Sequence, residues 1–333
     1  MERGSNVAAW REEFEYAKSA ELLTRCPVCT HAMGLLDPFA TDCERTCGLC
    51  GFALANRGGI WRALAPGRER HFGQFMREYS QVRAREGRGS SSPEYYLALP
   101  YADANGRNGW QWKIRAVTFR YFLRRILPAF ERRWMRPLEI LDLGAGNGWL
   151  SYRLAQRGHL PVAIDLLDNG EDGLGAARHY YSGLGWMFPR FQAEMDRLPF
   201  AGGQFDAAVF NASFHYSTDY CATAAEALRC LRPGGHVVIL DSPFYRRAGS
   251  GQQMLEERKN RFMQTFGFAS DSIPSREFLT AGALEEMSFR LRLRWKVCRP
   301  WYGWRWALRP LKAGLMGRRE PSKFHIFWAE VGG

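Results

Sequence analysis

Glu139-Ile140-Leu141-Asp142-Leu143-Gly144-Ala145-Gly146-Asn147-Gly148 decides how this 333-residue chain folds. The apolar strand residues Ile140, Leu141 and Leu143 run into a turn carrying three glycines, and an amphipathic helix follows from Trp149. Such a turn sets free backbone N–H groups and a helix N-terminus at the carboxyl end of a parallel strand, where nucleotide-like ligands bind. Gly144 and Gly146 let the backbone approach a ligand because no Cβ intervenes.

The flanking residues narrow the ligand. A dinucleotide fingerprint needs a small residue where this chain has the bulky Trp149. Asp142 offers a carboxylate to an ammonium group. Pro161-Val162-Ala163-Ile164-Asp165 reads as a second buried strand ending in an acid that could accept both ribose hydroxyls. An amino-acid cation joined to an adenosine ribose describes S-adenosylmethionine.

On these residues the chain resembles a class I S-adenosylmethionine-dependent methyltransferase of the small-molecule group often called type 11. Three further stretches fit in order over residues 138–243. Arg190 to Phe200 resembles the third motif, with Glu194 where Asp is more usual. Gly203 to His215 resembles the fourth strand and its active-site end. Leu228 to Leu240, with Pro233-Gly234-Gly235, resembles the helix, turn and fifth strand. The resemblance implies that Asp142, Gly144, Ala145 and Gly146 hold the methionine end, and that Asp165 and Leu166 meet the ribose. It places Glu194 and Met195 at the adenine edge, and Asn211, Ala212 and Ser213 beside the sulfonium.

Upstream, Cys26-Pro27-Val28-Cys29 and Cys47-Gly48-Leu49-Cys50 have the spacing of a structural zinc site. Each knuckle presents two thiolates to one tetrahedral ion, and four thiolates leave no open position for catalysis. Cys43 is a spare thiol that could replace Cys47; His31 reads as a loop residue. The expected architecture is α/β: a Rossmann-like doubly wound sheet, mostly parallel with an antiparallel last strand, carrying a small N-terminal zinc ribbon and a helical lid. The expected division is 1–20 tail, 21–62 zinc ribbon, 63–135 helical linker and lid, and 136–333 methyltransferase domain with an aromatic insert at 298–322.

Composition excludes several classes. Eight cysteines, five of them in the ribbon, suit metal in a reducing compartment better than a disulfide scaffold. No apolar run approaches the roughly 18 residues of a membrane span, and the first residues show no apolar signal core, so a cytoplasmic protein is expected. The net charge of +12 comes from forty arginines and only six lysines, scattered rather than clustered. A nucleic-acid footprint would gather on one face.

Tyr95, Tyr96, Trp110 and Trp112 could line a pocket from the lid, with Arg115 near the cofactor carboxylate. The helix that follows is expected to stop at Pro128. Leu255–Phe266 and Ser275–Met287 read as helices, the second starting at a serine cap with Glu277 in its first turn. Phe289 to Trp295 alternates with period two, like a half-exposed strand, and Lys323–Ala329 is the expected last strand. Tyr245 should border the substrate. The insert interleaves Trp301, Trp304 and Trp306 with arginines, a pattern suited to peripheral membrane contact and hence to a lipid-like acceptor.

Methyl transfer is an in-line displacement, helped chiefly by near-attack positioning in a dry pocket. His215, at the end of the fourth strand, is the candidate base. There is no Asn-Pro-Pro-Tyr at this position, and Cys221 and Cys230 do not resemble a cytosine-methylating nucleophile. The leading reading is methyl transfer from S-adenosylmethionine to a small-molecule or lipid-like acceptor. The alternatives are a ribosomal-RNA methyltransferase that uses the ribbon for recognition, and a non-catalytic adaptor. The sequence does not reveal the oligomeric state.

Overall fold

A computed structural model describes residues 21–332; the expected 1–20 tail lies outside them. The chain opens with a hairpin, β1 (Leu22–Arg25) and β2 (Ala32–Leu36), then a meander, β3 (Glu44–Thr46), β4 (Ala53–Arg57) and β5 (Ile60–Arg62). Four helices follow: α1 (Arg68–Arg85), α2 (Pro93–Ala98), α3 (Gly109–Tyr121) and α4 (Leu127–Trp134). The remainder alternates: β6 (Glu139–Leu143), α5 (Trp149–Ala155), β7 (Leu160–Asp165), α6 (Tyr181–Leu184), β8 (Arg190–Gln192), β9 (Phe205–Asn211), α7 (Tyr220–Cys230) and β10 (Leu231–Leu240). It ends with α8 (Ala248–Phe266), α9 (Ala281–Leu291), β11 (Lys296–Cys298), α10 (Trp304–Ala307), α11 (Arg309–Leu315) and β12 (Ile326–Glu330).

Ten strands form one sheet, in the order β11-β12-β10-β9-β6-β7-β8-β5-β4-β3. From β6 the chain winds outward through β7 and β8, returns to β9 on the other side of β6, and continues to β10. All of these pair in parallel, and β12 inserts antiparallel between β10 and β11. The direction of winding reverses between β6 and β9, and open α/β sheets bind ligands at such a point, outside the carboxyl ends of their strands.

Strand alternation divides the apolar residues between two cores. Leu141, Leu143, Val162 and Ile164 face one core, shared with Leu22, Cys26, Phe52 and Trp61 of the N-terminal segment. Ile140, Ala163, Ala207 and Val209 face the other, under Trp112, Phe119 and Phe130 of the lid helices. The ribbon is continuous with the main sheet: β5 pairs in parallel with β8, setting Trp61 opposite Phe191. Segment 21–62 therefore shares its core with the domain it precedes.

Three local expectations need correction. The helix does not stop at Pro128: α3 passes through a π-helical turn, Phe122–Ile126, into α4. The proline occupies the first turn of α4, where its missing N–H costs nothing. The helix expected from Ser275 starts instead at Ala281, capped by the Thr280 hydroxyl accepting from Ala283 N, because Ser275 and Glu277 are engaged elsewhere. Ser275 Oγ donates to Glu277, whose buried carboxylate pairs with Arg258 at 2.5 Å. Phe289–Leu291 belongs to α9, which Arg292 closes in a left-handed conformation, and the edge strand falls later, at Lys296–Cys298. The alternation does not mark one face there, since Phe289 lies in solvent at 88% exposure while Leu293 is buried.

Candidate functional site

At the carboxyl end of β6, Gly144 N and Ala145 N both donate to Ile164 O, at 2.8 and 2.9 Å, bending the chain back over β7. Gly144 takes a φ of +74°, and an added Cβ there would collide with Ser213. Asp165, at the end of β7, accepts from Gly146 N at 2.7 Å through one oxygen and from Leu167 N at 2.8 Å through the other. Burial pushes its carboxyl up to about 6.

These elements enclose a cavity of about 330 Å³, within the range for a small-molecule cleft. Gly144, Ala145, Gly146, Asp165, Leu166, Glu194, Met195, Asn211 and Ala212 all line it, as does Ser213. Asp142 does not. Its carboxylate turns away to accept from Ser151 N (3.1 Å) and Ser151 Oγ (2.8 Å), taking the place of a cap on the first turn of α5. Burial pushes this carboxyl up to about 7. Asp142 thus braces the glycine turn through Oδ2, while its Oδ1 is buried without a hydrogen-bond partner. Glu194 reaches the cavity, but Arg68 grips its carboxylate through Nε and Nη2, at 3.0 and 2.6 Å.

That contact belongs to α1, which lies within the expected helical lid but whose cavity-lining residues the sequence did not single out. Phe72, Phe75, Tyr79 and Arg83 of this helix line the cavity. Arg83 is ion-paired with Asp172, and Phe75 and Tyr79 pack against Tyr216 at 6.2 and 5.8 Å. The spacing of 72, 75, 79 and 82 is that of an apolar helical stripe, a signal that could have revealed it.

A second chamber of about 810 Å³ adjoins the first; Phe75, Tyr79, Arg115, Ala212 and Tyr216 line both. Ala212, at this junction, holds a φ of +56°, a strain of the kind that persists where surrounding structure enforces it. His215 lines the second chamber, with Nδ1 3.3 Å from Ser242 Oγ. Burial lowers it to about 4, so the imidazole is neutral near pH 7.

The aromatic candidates divide. Trp112 lines the first cavity and Trp110 the second. Tyr95 and Tyr96 are packing residues: both are buried, and the Tyr96 hydroxyl accepts from Ser90 N and donates to Glu171 O beneath the lid. Tyr245 is also buried outside both chambers, its hydroxyl accepting from Arg319. Neither an aromatic run nor a place after a strand end says which face a ring takes.

In the ribbon, the sulfurs of Cys26, Cys29, Cys47 and Cys50 all lie within 4.8 Å of one another. The Cys26–Cys50 and Cys29–Cys47 separations are 3.5 and 3.6 Å, close to the roughly 3.8 Å edge of a tetrahedron with zinc–sulfur bonds of about 2.3 Å. Cys43 stands outside the cluster, so it does not replace Cys47. The donor set is therefore one that zinc fits. The ribbon meets the main sheet directly: Ala63 N donates to Gln192 O at 2.9 Å, and Trp61 stacks on Phe191 at 6.1 Å.

Comparison with known proteins gives a consistent picture. The family described as "Methyltransferase domain" matches residues 140–235. Demethylmenaquinone methyltransferase of Mycolicibacterium vanbaalenii is 34% identical over 103 residues, which is 31% of this chain and 41% of that protein. Malonyl-[acyl-carrier protein] O-methyltransferase of Geobacter sulfurreducens is 36% identical over 34% of this chain and 42% of that protein. The chain thus spans less than half the length of these curated relatives. Among solved structures, the 1,6-didemethyltoxoflavin-N1-methyltransferase of Burkholderia thailandensis overlaps 81% of this chain and 92% of its own, with 18% identity and a TM-score of 0.45. Residues 140–235 thus match a methyltransferase-domain family, on a sheet whose winding reverses beside a glycine turn and whose next strand ends in an acid, as in class I S-adenosylmethionine-dependent methyltransferases.

Proposed function

We propose that the protein transfers the methyl group of S-adenosylmethionine to a small-molecule acceptor held in the second chamber. The observation that carries this reading is the junction at Ala212 and Tyr216, where a cavity at the switch point of the sheet opens into a larger one with aromatic and arginine walls. The cofactor supplies an activated methyl on a sulfonium. When bound it would give up that methyl to the acceptor, leaving the S–CH₃ electron pair on sulfur.

The chain's own residues position and exclude. Asp165 faces the ribose, Gly144 and Gly146 admit the backbone to the ligand, and α1 closes over it through Arg68–Glu194 and Arg83–Asp172. Arg115, stacked 4.9 Å over Trp112, is suited to the cofactor carboxylate. Neutral His215 can accept a proton from an acceptor that carries one, and the burial that lowers it to about 4 makes it a weak base. The relatives' names, demethylmenaquinone methyltransferase and malonyl-[acyl-carrier protein] O-methyltransferase, agree with an organic rather than a nucleic-acid acceptor.

Zinc, in this reading, is structural, one ion on the four clustered thiolates bracing β5 against β8. A lipid-like acceptor is favoured by the insert, where Trp301, Trp304, Leu311 and Leu315 are all at least 60% exposed. No acidic residue occurs from 298 to 319, so this face suits peripheral contact with an anionic bilayer. No helix of the described residues is long and apolar enough to cross one.

Calorimetric titration with S-adenosylhomocysteine tests the core of the proposal. Saturable micromolar binding supports it, and absence of binding in intact, metal-loaded protein refutes it.

A further inference from the structure

The second chamber carries an imbalance of charge that methyl transfer alone does not require. Seven arginines line it against three carboxylates. Three of the arginines are satisfied: Arg83 by Asp172, Arg88 by Glu86 and Arg258 by Glu277. Asp241, the remaining acid, accepts from the Thr118 hydroxyl. Among the described residues, no carboxylate lies within 4.0 Å of Arg85, Arg261 or Arg309, and Arg115 has only the more distant Asp241.

Arg115 and Arg309 are half-buried. Arg309 lies flat on Trp306, 3.7 Å from the ring centroid. Trp306 in turn stacks on Phe324 at 5.6 Å and meets Trp110 at 5.9 Å, forming an aromatic wall of the chamber. Burial and like-charged neighbours lower both guanidinium groups, Arg115 to about 10. Charges removed from water without a partner are costly, and groups so perturbed in a cleft mark functional sites. The one carboxylate of the cofactor is taken by Arg115, which lines both chambers, and leaves Arg309, which lines only the second, without a counter-charge.

We propose that the acceptor is an anion, a molecule whose carboxylate or phosphate is anchored by Arg309 while its apolar body lies along the Trp110–Trp306–Phe324 wall. Arg309 lines the second chamber and not the first. The anchored group is therefore not the atom that receives the methyl, and the anion orients the acceptor with its nucleophilic atom toward Ala212. A guanidinium on an aromatic face matches a planar oxyanion in a way an ammonium does not.

This inference rests on the proposed methyl transfer, and the test separates the two. Full-length, metal-loaded protein is incubated with methyl-labelled S-adenosylmethionine and a small-molecule extract of the source cells, divided on an anion exchanger into retained and unretained pools. The retained pool is further split by solvent partition into lipid and water-soluble anions.

Label should enter a product from the retained pool, and the partition arm shows whether the anion is lipidic. Arg309→Met should lower that transfer at least tenfold, Arg309→Lys should restore part of it, and both should bind S-adenosylhomocysteine like the wild type. Label entering only from the unretained pool, or from neither while S-adenosylhomocysteine binds, overturns the anionic acceptor alone. Full transfer by Arg309→Met overturns Arg309 as its anchor. Failure of the wild type to bind S-adenosylhomocysteine overturns the methyl-transfer reading beneath both.

Discussion

Gly144 and Gly146 stand two residues apart in one turn, both with positive φ, yet alanine should act on them in different ways. At Gly144 an added Cβ makes a hard overlap with Ser213 Cβ, and Ser213 is held by its own hydrogen bond to Leu143 O. The left-handed backbone costs an L-residue about 1–2 kcal/mol, and forcing a methyl into packed space about 1–3 kcal/mol. The sum is a loss of roughly 2–5 kcal/mol. With an unfolding entropy of about 2.1 cal/mol/K per residue, that lowers the melting temperature by roughly 3–7 °C.

At Gly146 the same Cβ meets only Asp172 O, at 3.5 Å, across the cavity that both residues line. Gly146→Ala should therefore melt within about 2 °C of the wild type, its backbone strain partly offset by reduced freedom in the unfolded chain. Its methyl occupies ligand space, and an overpacking cost of about 1–3 kcal/mol weakens S-adenosylhomocysteine roughly 5–150-fold. Gly146→Val should abolish binding in a folded protein. Melting curves and calorimetric titration of the three variants check this. If Gly146→Ala binds as tightly as the wild type, or Gly144→Ala melts unchanged, the placement of the ligand beneath this turn is wrong.

Elemental analysis should find one zinc per chain, retained by Cys43→Ser and lost by Cys47→Ser. Because the ribbon shares its core with β8, the Cys47 variant should also melt earlier and weaken S-adenosylhomocysteine. Burial between Phe130 and Trp328 lowers His236 to about 4, with Glu330 opposing and Arg133 and Lys296 assisting. Between about 4 and the ordinary 6.5 the unfolded chain binds the extra proton, so stability falls as pH drops through that window. Thermal melts of His236→Phe should lose less than the wild type between pH 6.5 and 4; equal losses would contradict the assignment. Sedimentation with vesicles should show binding to anionic and not to zwitterionic bilayers. Replacing Trp304 and Leu315 together by alanine should weaken it at least about tenfold, since each buried apolar side chain is worth roughly 1.5–3 kcal/mol. Equal binding to both vesicle types would remove the membrane contact.

The nucleotide-binding half of this protein was legible in its sequence, because its determinants are local. A strand, a turn that needs glycine and an acid at the next strand end lie within 30 residues, and backbone sterics alone dictate their arrangement. The four thiolates of the ribbon were legible for the same reason, since each Cys-x-x-Cys knuckle is set by its own short turn. Tertiary structure alone decided what depends on which face an element turns inward. It set one oxygen of Asp142 on the start of α5, buried Tyr95 and Tyr96 under the lid, and brought Arg68 across to Glu194. It also joined the ribbon to the sheet through a pairing of Trp61 with Phe191, 130 positions apart, and gathered arginines from α1, α3, α8 and the insert around one chamber. Those contacts join residues distant in the chain, and which of them form depends on how the two faces of the sheet are filled, a property of the packed whole that no short window of sequence contains.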